Sequence, residues 1–162
     1  MPVVGRTARL LGLAGLLPQV AAVLLMLLAG RSRSDLGGIL ALTGYWLALV
    51  YAALILSFLG GIWWGFAMRR VDGQGRLAAM AVVPSLIAFA ALIAAAWSLP
   101  HAPSPWPAIV LGGAVLLTLT IDRRLAATGE APAGWMALRM PLSLGLGGLT
   151  IAAGILLAMG LR

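Results

Sequence analysis

One stretch of the sequence limits the possible folds more than any other: residues 51–70, YAALILSFLGGIWWGFAMRR. It is apolar for most of its length, contains two adjacent glycines and a tryptophan pair, and ends at two arginines. This pattern is typical of the end of a transmembrane helix, with glycines against a neighbouring helix, aromatic rings near the interface and charges among the headgroups. The stretch therefore predicts an integral membrane protein.

The composition of the whole chain supports a membrane location. Charged residues make up 9% of the chain, against about 25% in soluble domains, so a water-exposed polar surface cannot be formed. All eleven basic residues are arginines, and they occur in small clusters between apolar runs. A nucleic-acid partner would need a continuous basic face, so we expect none. Because the chain has no cysteine, disulfides and cysteine-based metal sites are excluded.

The apolar runs predict an all-α, polytopic membrane helix bundle that forms a single transmembrane domain over residues 1–162. The five predicted spans cover about residues 10–30, 39–68, 77–99, 106–125 and 135–161. The first run is longer than a signal-peptide core, which favours an uncleaved helix, and Pro18 should kink it. The second run is longer than a bilayer is thick, so it should tilt, project or bend at Gly60–Gly61.

The distribution of arginines predicts the orientation of these spans. The N-terminus, the second loop and the fourth loop region together contain eight arginines, whereas the first loop, the third loop and the C-terminus contain three. Positive charges are retained on the cytoplasmic side of a membrane. We therefore expect a protein of the bacterial inner membrane with a cytoplasmic N-terminus and a periplasmic C-terminus.

The second span offers one candidate binding groove near its end. The paired glycines weaken the helix there, and a tryptophan pair, a proline and the amide of Gln19 could contact a ligand. The candidate binding residues are Gln19, Gly60, Gly61, Trp63, Trp64 and Pro84. Structural alternatives exist for each type of residue. Gln19 could instead form an interhelical hydrogen bond, and the tryptophans could belong to the interfacial aromatic belt. The GxxxG pair Gly61 and Gly65 predicts a helix–helix contact.

Two charged residues lie close to predicted span ends. Asp122 lies near the end of the fourth span and Arg139 lies about one turn into the fifth, on the same side of the membrane. We predict that they pair and clamp these two helices together, and Arg139 is also a candidate for ligand binding. His101 has no second candidate ligand nearby. The sequence therefore predicts no metal, no cofactor and no catalytic constellation, and it indicates that the protein is not an enzyme.

Four unusual motifs occur in order along the chain: ILSFLGGIWWG, VVPSLIAF at residues 82–89, DRRL at 122–125 and WMALRMPLS at 135–143. Together they resemble an uncharacterised family of multi-pass membrane proteins that includes mitochondrial transmembrane protein 69. Relatives in this family often have histidine or arginine where Trp63 stands, so the resemblance implies that this chain lacks an ionisable group there. The family implies a five-span inner-membrane protein without an assigned reaction.

Two functions remain open from the sequence. The first is an accessory or assembly subunit without enzymatic activity, which would pack against partner membrane proteins or form a homo-oligomer in the lipid bilayer. Its support is the abundance of small-residue helix faces. The alternative is a binder of a lipid or small apolar molecule at Gly60–Trp64, loosely similar to the tryptophan-rich sensory proteins in size and tryptophan content.

Overall fold

The computed structural model describes residues 4–30, 35–98 and 102–160, and helices dominate these ranges. The described residues form six helical segments: α1 (Arg6–Ala14), α2 (Leu17–Ala29), α3 (Asp35–Ala67), α4 (Gln74–Ser98), α5 (Trp106–Ala127) and α6 (Trp135–Ala158). The predicted all-α class is confirmed. His101, and the arginines at positions 31, 33 and 162 that entered the orientation argument, lie outside the described residues.

Four helical stretches among the described residues are long and apolar enough to cross a membrane. They are residues Arg6–Ala29 taken through the α1–α2 turn, α3, α4 and α6. Helix α5 has 22 residues, but Asp122, Arg123 and Arg124 lie within it, and it is not among the four. The membrane prediction is supported by these helices, whereas the fifth span stays a prediction.

Helix α3 is the central element of the bundle. It packs against α2, α4, α5 and α6, and α5 packs against both α4 and α6. Sequence neighbours are thus neighbours in space, as short connections require. The α3 helix continues for 33 residues through Gly60 and Gly61, so the paired glycines do not interrupt it.

The first span is broken just before Pro18. Helix α1 ends at Ala14, a turn follows at Gly15 and Leu16, and Pro18 lies in the first turn of α2. Proline is tolerated there because its missing N–H needs no helical partner. The Tyr51 hydroxyl of α3 donates a hydrogen bond to the Gly15 carbonyl at the break. The predicted kink is therefore a complete interruption, with a freed carbonyl satisfied by a neighbouring helix.

Glycines bring the helix backbones together, although not at the predicted positions. A Cβ atom added to Gly60 would lie well inside van der Waals contact with the Ala81 carbonyl oxygen of α4. Between α5 and α6, a Cβ on Gly112 would lie 2.6 Å from the Gly147 oxygen, and one on Gly147 would lie 2.8 Å from the Gly112 oxygen. These positions need glycine because a side chain would push the helices apart.

The predicted contact at Gly61 and Gly65 is wrong within this chain. A Cβ added to either residue meets no atom within 4 Å, and both residues are exposed. The face that α4 approaches is that of Gly60, one residue earlier. One residue turns a helix by about 100°, so this shift moves the GxxxG pair to the outer surface of α3.

Candidate functional site

A buried carboxylate joins three helices. Asp122 on α5 is 1% exposed. Its Oδ2 atom accepts a hydrogen bond from Arg139 Nε of α6 at 2.7 Å, and its Oδ1 atom accepts one from Trp63 Nε1 of α3 at 3.0 Å. Both carboxylate oxygens therefore have donors. The two residues predicted to pair are in contact, and a third residue completes their network.

Two further groups contact the guanidinium of Arg139. Arg139 is 5% exposed, its Nη2 atom donates to Thr118 Oγ1 at 3.4 Å, and its central carbon lies 5.9 Å from the centroid of the Trp135 ring. A cation above an indole face is attracted by the ring quadrupole. The arginine is thus positioned by an anion, a hydroxyl and an aromatic ring, and the two buried charges neutralise each other.

Helical spacing explains why these side chains converge. Thr118 and Asp122 are four residues apart on α5, and Trp135, Arg139 and Ser143 are four and eight residues apart on α6. Residues separated by four positions lie on one face of a helix. The α6 face with Arg139 and Ser143 points into the bundle, where both residues are buried.

A cavity of about 350 Å³ lies beside this network, between the α1–α2 turn, α3 and α6. Arg139, Ser143 and Trp135 line its α6 side. Its other walls are mostly apolar, with Leu11, Leu16, Ile55, Phe58 and Leu142 among them. A volume of this size falls within the usual range for sites that bind small molecules, about 300–1,000 Å³.

Two residues that line the cavity each have a buried polar atom without a partner among the described residues. The Ser143 Oγ and Trp135 Nε1 atoms are both buried and form no hydrogen bond. By contrast, the hydroxyls of Thr118 and Thr150 bond the carbonyls of Val115 and Leu146 one turn earlier. An unpartnered buried donor typically costs about 1–3 kcal/mol. Trp135 and Ser143 therefore carry buried polar groups that the described part of the protein does not satisfy.

The groove expected around Gly60–Trp64 does not form as predicted. Trp63 and Pro84 line a smaller cavity of about 240 Å³ between α3, α4 and α5. Gly60 is occupied by its contact with α4, whereas Gly61 and Trp64 face outward, Trp64 with 46% of its surface exposed. Gly60 and Trp63 face the bundle, whereas Gly61 and Trp64 face outward, because each residue turns the helix by about 100°. These residues therefore cannot line one groove together.

Gln19 lies away from that groove. It is fully buried on α2, and its Nε2 atom donates to Thr150 Oγ1 of α6 at 2.9 Å. Its Oε1 atom has no partner among the described residues. The interhelical hydrogen bond foreseen as the alternative for Gln19 is present.

Trp63 does not fit the aromatic belt either, which was the structural alternative for the tryptophans. Trp64, Trp97 and Trp106 are exposed, as belt residues are, but Trp63 is only 4% exposed. Its hydrogen bond to Asp122 was missed because distance from a span end indicates depth in the membrane and not which way the ring points. Ser143 and Trp135 were also overlooked as site residues, although their spacing from Arg139 placed them on its face.

Replacing Trp63 with phenylalanine should lower the free energy of unfolding by about 1–3 kcal/mol, because Asp122 Oδ1 loses its donor while remaining buried. The matched control is Trp64→Phe, which changes the same side chain one residue later on an exposed surface. Thermal unfolding of both variants in detergent measures the difference. Equal stability of the two variants would show that the indole N–H contributes nothing.

Comparison with known proteins identifies the family. Residues 4–157 match the family model described as "Protein of unknown function (DUF3429)", which is nearly the whole chain. The protein belongs to the DUF3429 family. The resemblance noted in its four motifs is thereby confirmed.

One relative of the chain is Transmembrane protein 69 of Xenopus tropicalis. It is 36% identical over 91 residues, which cover 54% of this chain and 33% of the relative. The chain thus matches about a third of the relative's length. No solved structure matches the chain. The family is described as one of unknown function, so the activity has to be argued from the site.

Proposed function

We propose that this DUF3429 protein is a non-enzymatic accessory or assembly subunit that packs against another membrane protein through the outer face of α3. The observation that carries the proposal is the open position of Gly61 and Gly65, where an added Cβ would meet nothing in this chain. Small residues spaced by four allow close approach of a second helix, and dispersion packing then drives association in lipid.

The Asp122–Arg139 pair supports a structural role for the charged residues. Both charges are buried and neutralise each other, and the pair connects α5, α6 and, through Trp63, α3. A proton or ion path would need a series of such groups across the bilayer. The network therefore holds α3, α5 and α6 together, which stabilises the outer surface of α3.

The proposed arrangement in the inner membrane has five spans, with a cytoplasmic N-terminus and a periplasmic C-terminus. Arg70 and Glu130 form two hydrogen bonds of 2.6 and 2.7 Å between the α3–α4 and α5–α6 loops. The Val4 N–H donates to the Ala133 carbonyl at 3.2 Å. These contacts favour a common membrane side for the N-terminus and both loops, so that α5 must cross. The hydrogen bonds from Arg70 lower the pKa of Glu130, which keeps this carboxylate charged.

A reporter fused after the last residue tests the topology. We expect a periplasmic reporter such as alkaline phosphatase to be active there and a cytoplasmic reporter to be inactive. Fusions within the α5–α6 loop should give the reverse result. Cytoplasmic activity at both positions would contradict a fifth crossing.

Site-specific crosslinking tests the partner surface. The chain has no cysteine, so Gly65→Cys introduces a single attachment point for a photo-crosslinker. The control is Phe89→Cys on the exposed surface of α4. We expect a discrete product with a different membrane protein only from position 65. A product of twice the chain mass would indicate a homo-oligomer instead, and identical patterns at both positions would refute a specific surface.

A further inference from the structure

Three arginines line one small pocket, which lies where the start of α4 meets the end of α5. The pocket has a volume of about 190 Å³, and its walls include Arg70, Arg76 and Arg124 together with the apolar side chains of Met80 and Ile121. Cationic groups gathered around one opening repel each other, and an anion placed among them lowers their electrostatic energy. The pocket is therefore a candidate site for an anionic group.

Two of these arginines have charges that the described part of the chain does not balance. Arg70 forms an ion pair with Glu130 at 2.6 Å, and the other ion pair among the described residues is the buried one between α5 and α6. Arg76 and Arg124 thus pair with no described carboxylate, and both are exposed. Arg76 also occupies the first turn of α4, which contains no acidic residue, although the positive end of a helix dipole favours anions.

The basic pocket adjoins the apolar cavity of about 240 Å³ between α3, α4 and α5. Met80 and Ile121 line both of them. The polar side chains on the wall of the apolar cavity are already used within the bundle, since the Trp63 indole and the Thr118 hydroxyl each donate a hydrogen bond to another residue. An occupant of this cavity should therefore be apolar.

Helical spacing joins the pocket and the cavity into one groove. On α4, the lining residues Arg76, Met80, Val83 and Ile87 are three or four positions apart, so they lie on one face. The facing stripe on α5 runs back from Arg124 to Ala114 with similar spacing. At about 1.5 Å per residue each stripe is roughly 15 Å long, which is about half of a hydrocarbon core. We call this feature the α4–α5 groove, and its length matches one leaflet of a bilayer.

The α4–α5 groove is accessible from the lipid. Val83 and Leu117 line its apolar part, and they are 48% and 67% exposed on the surface of the bundle. Helix α4 is one of the four stretches that are long and apolar enough to cross a membrane, and Arg76 lies at its start. Arginines at the end of a span extend to the headgroup level, so the basic end of the groove lies there and the apolar end lies deeper.

We propose that the α4–α5 groove binds one anionic phospholipid, with its phosphate between Arg76 and Arg124 and one acyl chain along the apolar part. Guanidinium groups bind phosphate oxygens through charge-assisted hydrogen bonds. A free phosphate would leave the apolar part of the groove empty, and a zwitterionic lipid would add a cation to a pocket that already has excess positive charge. The groove involves neither Gly61 nor Gly65, so this proposal is independent of the partner surface.

The test uses the purified full-length protein in a non-ionic detergent, with phosphatidylglycerol as the probe and native mass spectrometry to count retained lipids. We expect saturable binding of one phosphatidylglycerol molecule. Arg76→Gln and Arg124→Gln should each raise the dissociation constant at least about fivefold, because an arginine near an anionic lipid contributes about 1 kcal/mol. The matched control is Arg123→Gln, which removes the same charge one residue earlier at an exposed position outside the pocket lining. It should leave the dissociation constant unchanged.

Two further probes show which parts of the lipid are recognised. Phosphatidylcholine with the same acyl chains should bind at least about fivefold more weakly, since its choline cation offsets the phosphate, and glycerol phosphate without chains should not bind measurably. All three arginine variants should unfold at the wild-type temperature without lipid, because exposed substitutions change stability little. The proposal is overturned if Arg123→Gln weakens binding as much as Arg124→Gln, if phosphatidylcholine binds equally well, or if glycerol phosphate alone binds as tightly as the lipid.

Discussion

Replacing Asp122 with asparagine, or Arg139 with glutamine, is expected to lower the free energy of unfolding by about 3–5 kcal/mol, because either change leaves the other charge buried without its counterion. Asp122 and Arg139 are almost completely shielded inside the bundle, so water cannot compensate. The double variant should cost clearly less than the sum of the single ones, since no isolated charge remains. Unfolding in detergent micelles followed by circular dichroism measures all three variants.

The second ion pair of the described structure is the matched control for this cycle. Arg70 and Glu130 are 2.6 Å apart but roughly a quarter to a third exposed, so solvent screens their attraction. The same neutralising substitutions at these residues should show much weaker coupling. Strict additivity of the Asp122 and Arg139 variants would mean that the buried pair is not a clamp.

Substituting Gly60 with leucine should destabilise the protein by about 3 kcal/mol or more, while the same change at Gly61 should stay within about 0.5 kcal/mol. The Gly60 backbone touches the Ala81 carbonyl of α4, and a side chain can fit only if the helices separate. The Gly61 position is open. Thermal midpoints of the two variants, which differ by one position in the chain, give the comparison.

The Gly61→Leu variant also connects stability with the proposed partner surface. It should unfold like the wild type yet reduce crosslinking from position 65, because a bulky side chain would hold a partner helix away. If Gly61→Leu were as destabilising as Gly60→Leu, the outer face of α3 would have to be packed within the protein itself. Unchanged crosslinking would show that this face is not the docking surface.

The features visible in the sequence are those that depend on composition and on position along a helix. Apolar runs are sufficient to predict a helical membrane protein, because the bilayer demands long apolar helices whatever their neighbours are. The approach of Asp122 to Arg139 could also be inferred, since both lie near the same membrane boundary on consecutive helices. In these cases depth and connectivity determine the outcome.

Features that depend on rotation about a helix axis could not be predicted in the same way. The sequence predicts a helix contact for the GxxxG pair that Gly60 makes instead, and it leaves Trp63 between a binding groove and the aromatic belt, although the ring points inward to Asp122. A difference of one residue changes direction by about 100°, and no alternation of polar and apolar positions marks the inner face of α3. The cavity was hidden for a related reason, since residues from α1, α3 and α6 form it together.

The interruption at Gly15 and Leu16 divides the first span into two helices that are anchored to the bundle to different degrees. Beyond the break, α2 is anchored by the Gln19–Thr150 hydrogen bond and by buried residues, whereas α1 has no buried residue at all. Segments with little burial open at the lowest free-energy cost. Because Leu11 and Gly12 of α1 form part of the cavity wall, we expect local opening of α1 at the break to widen the cavity before the rest of the bundle unfolds.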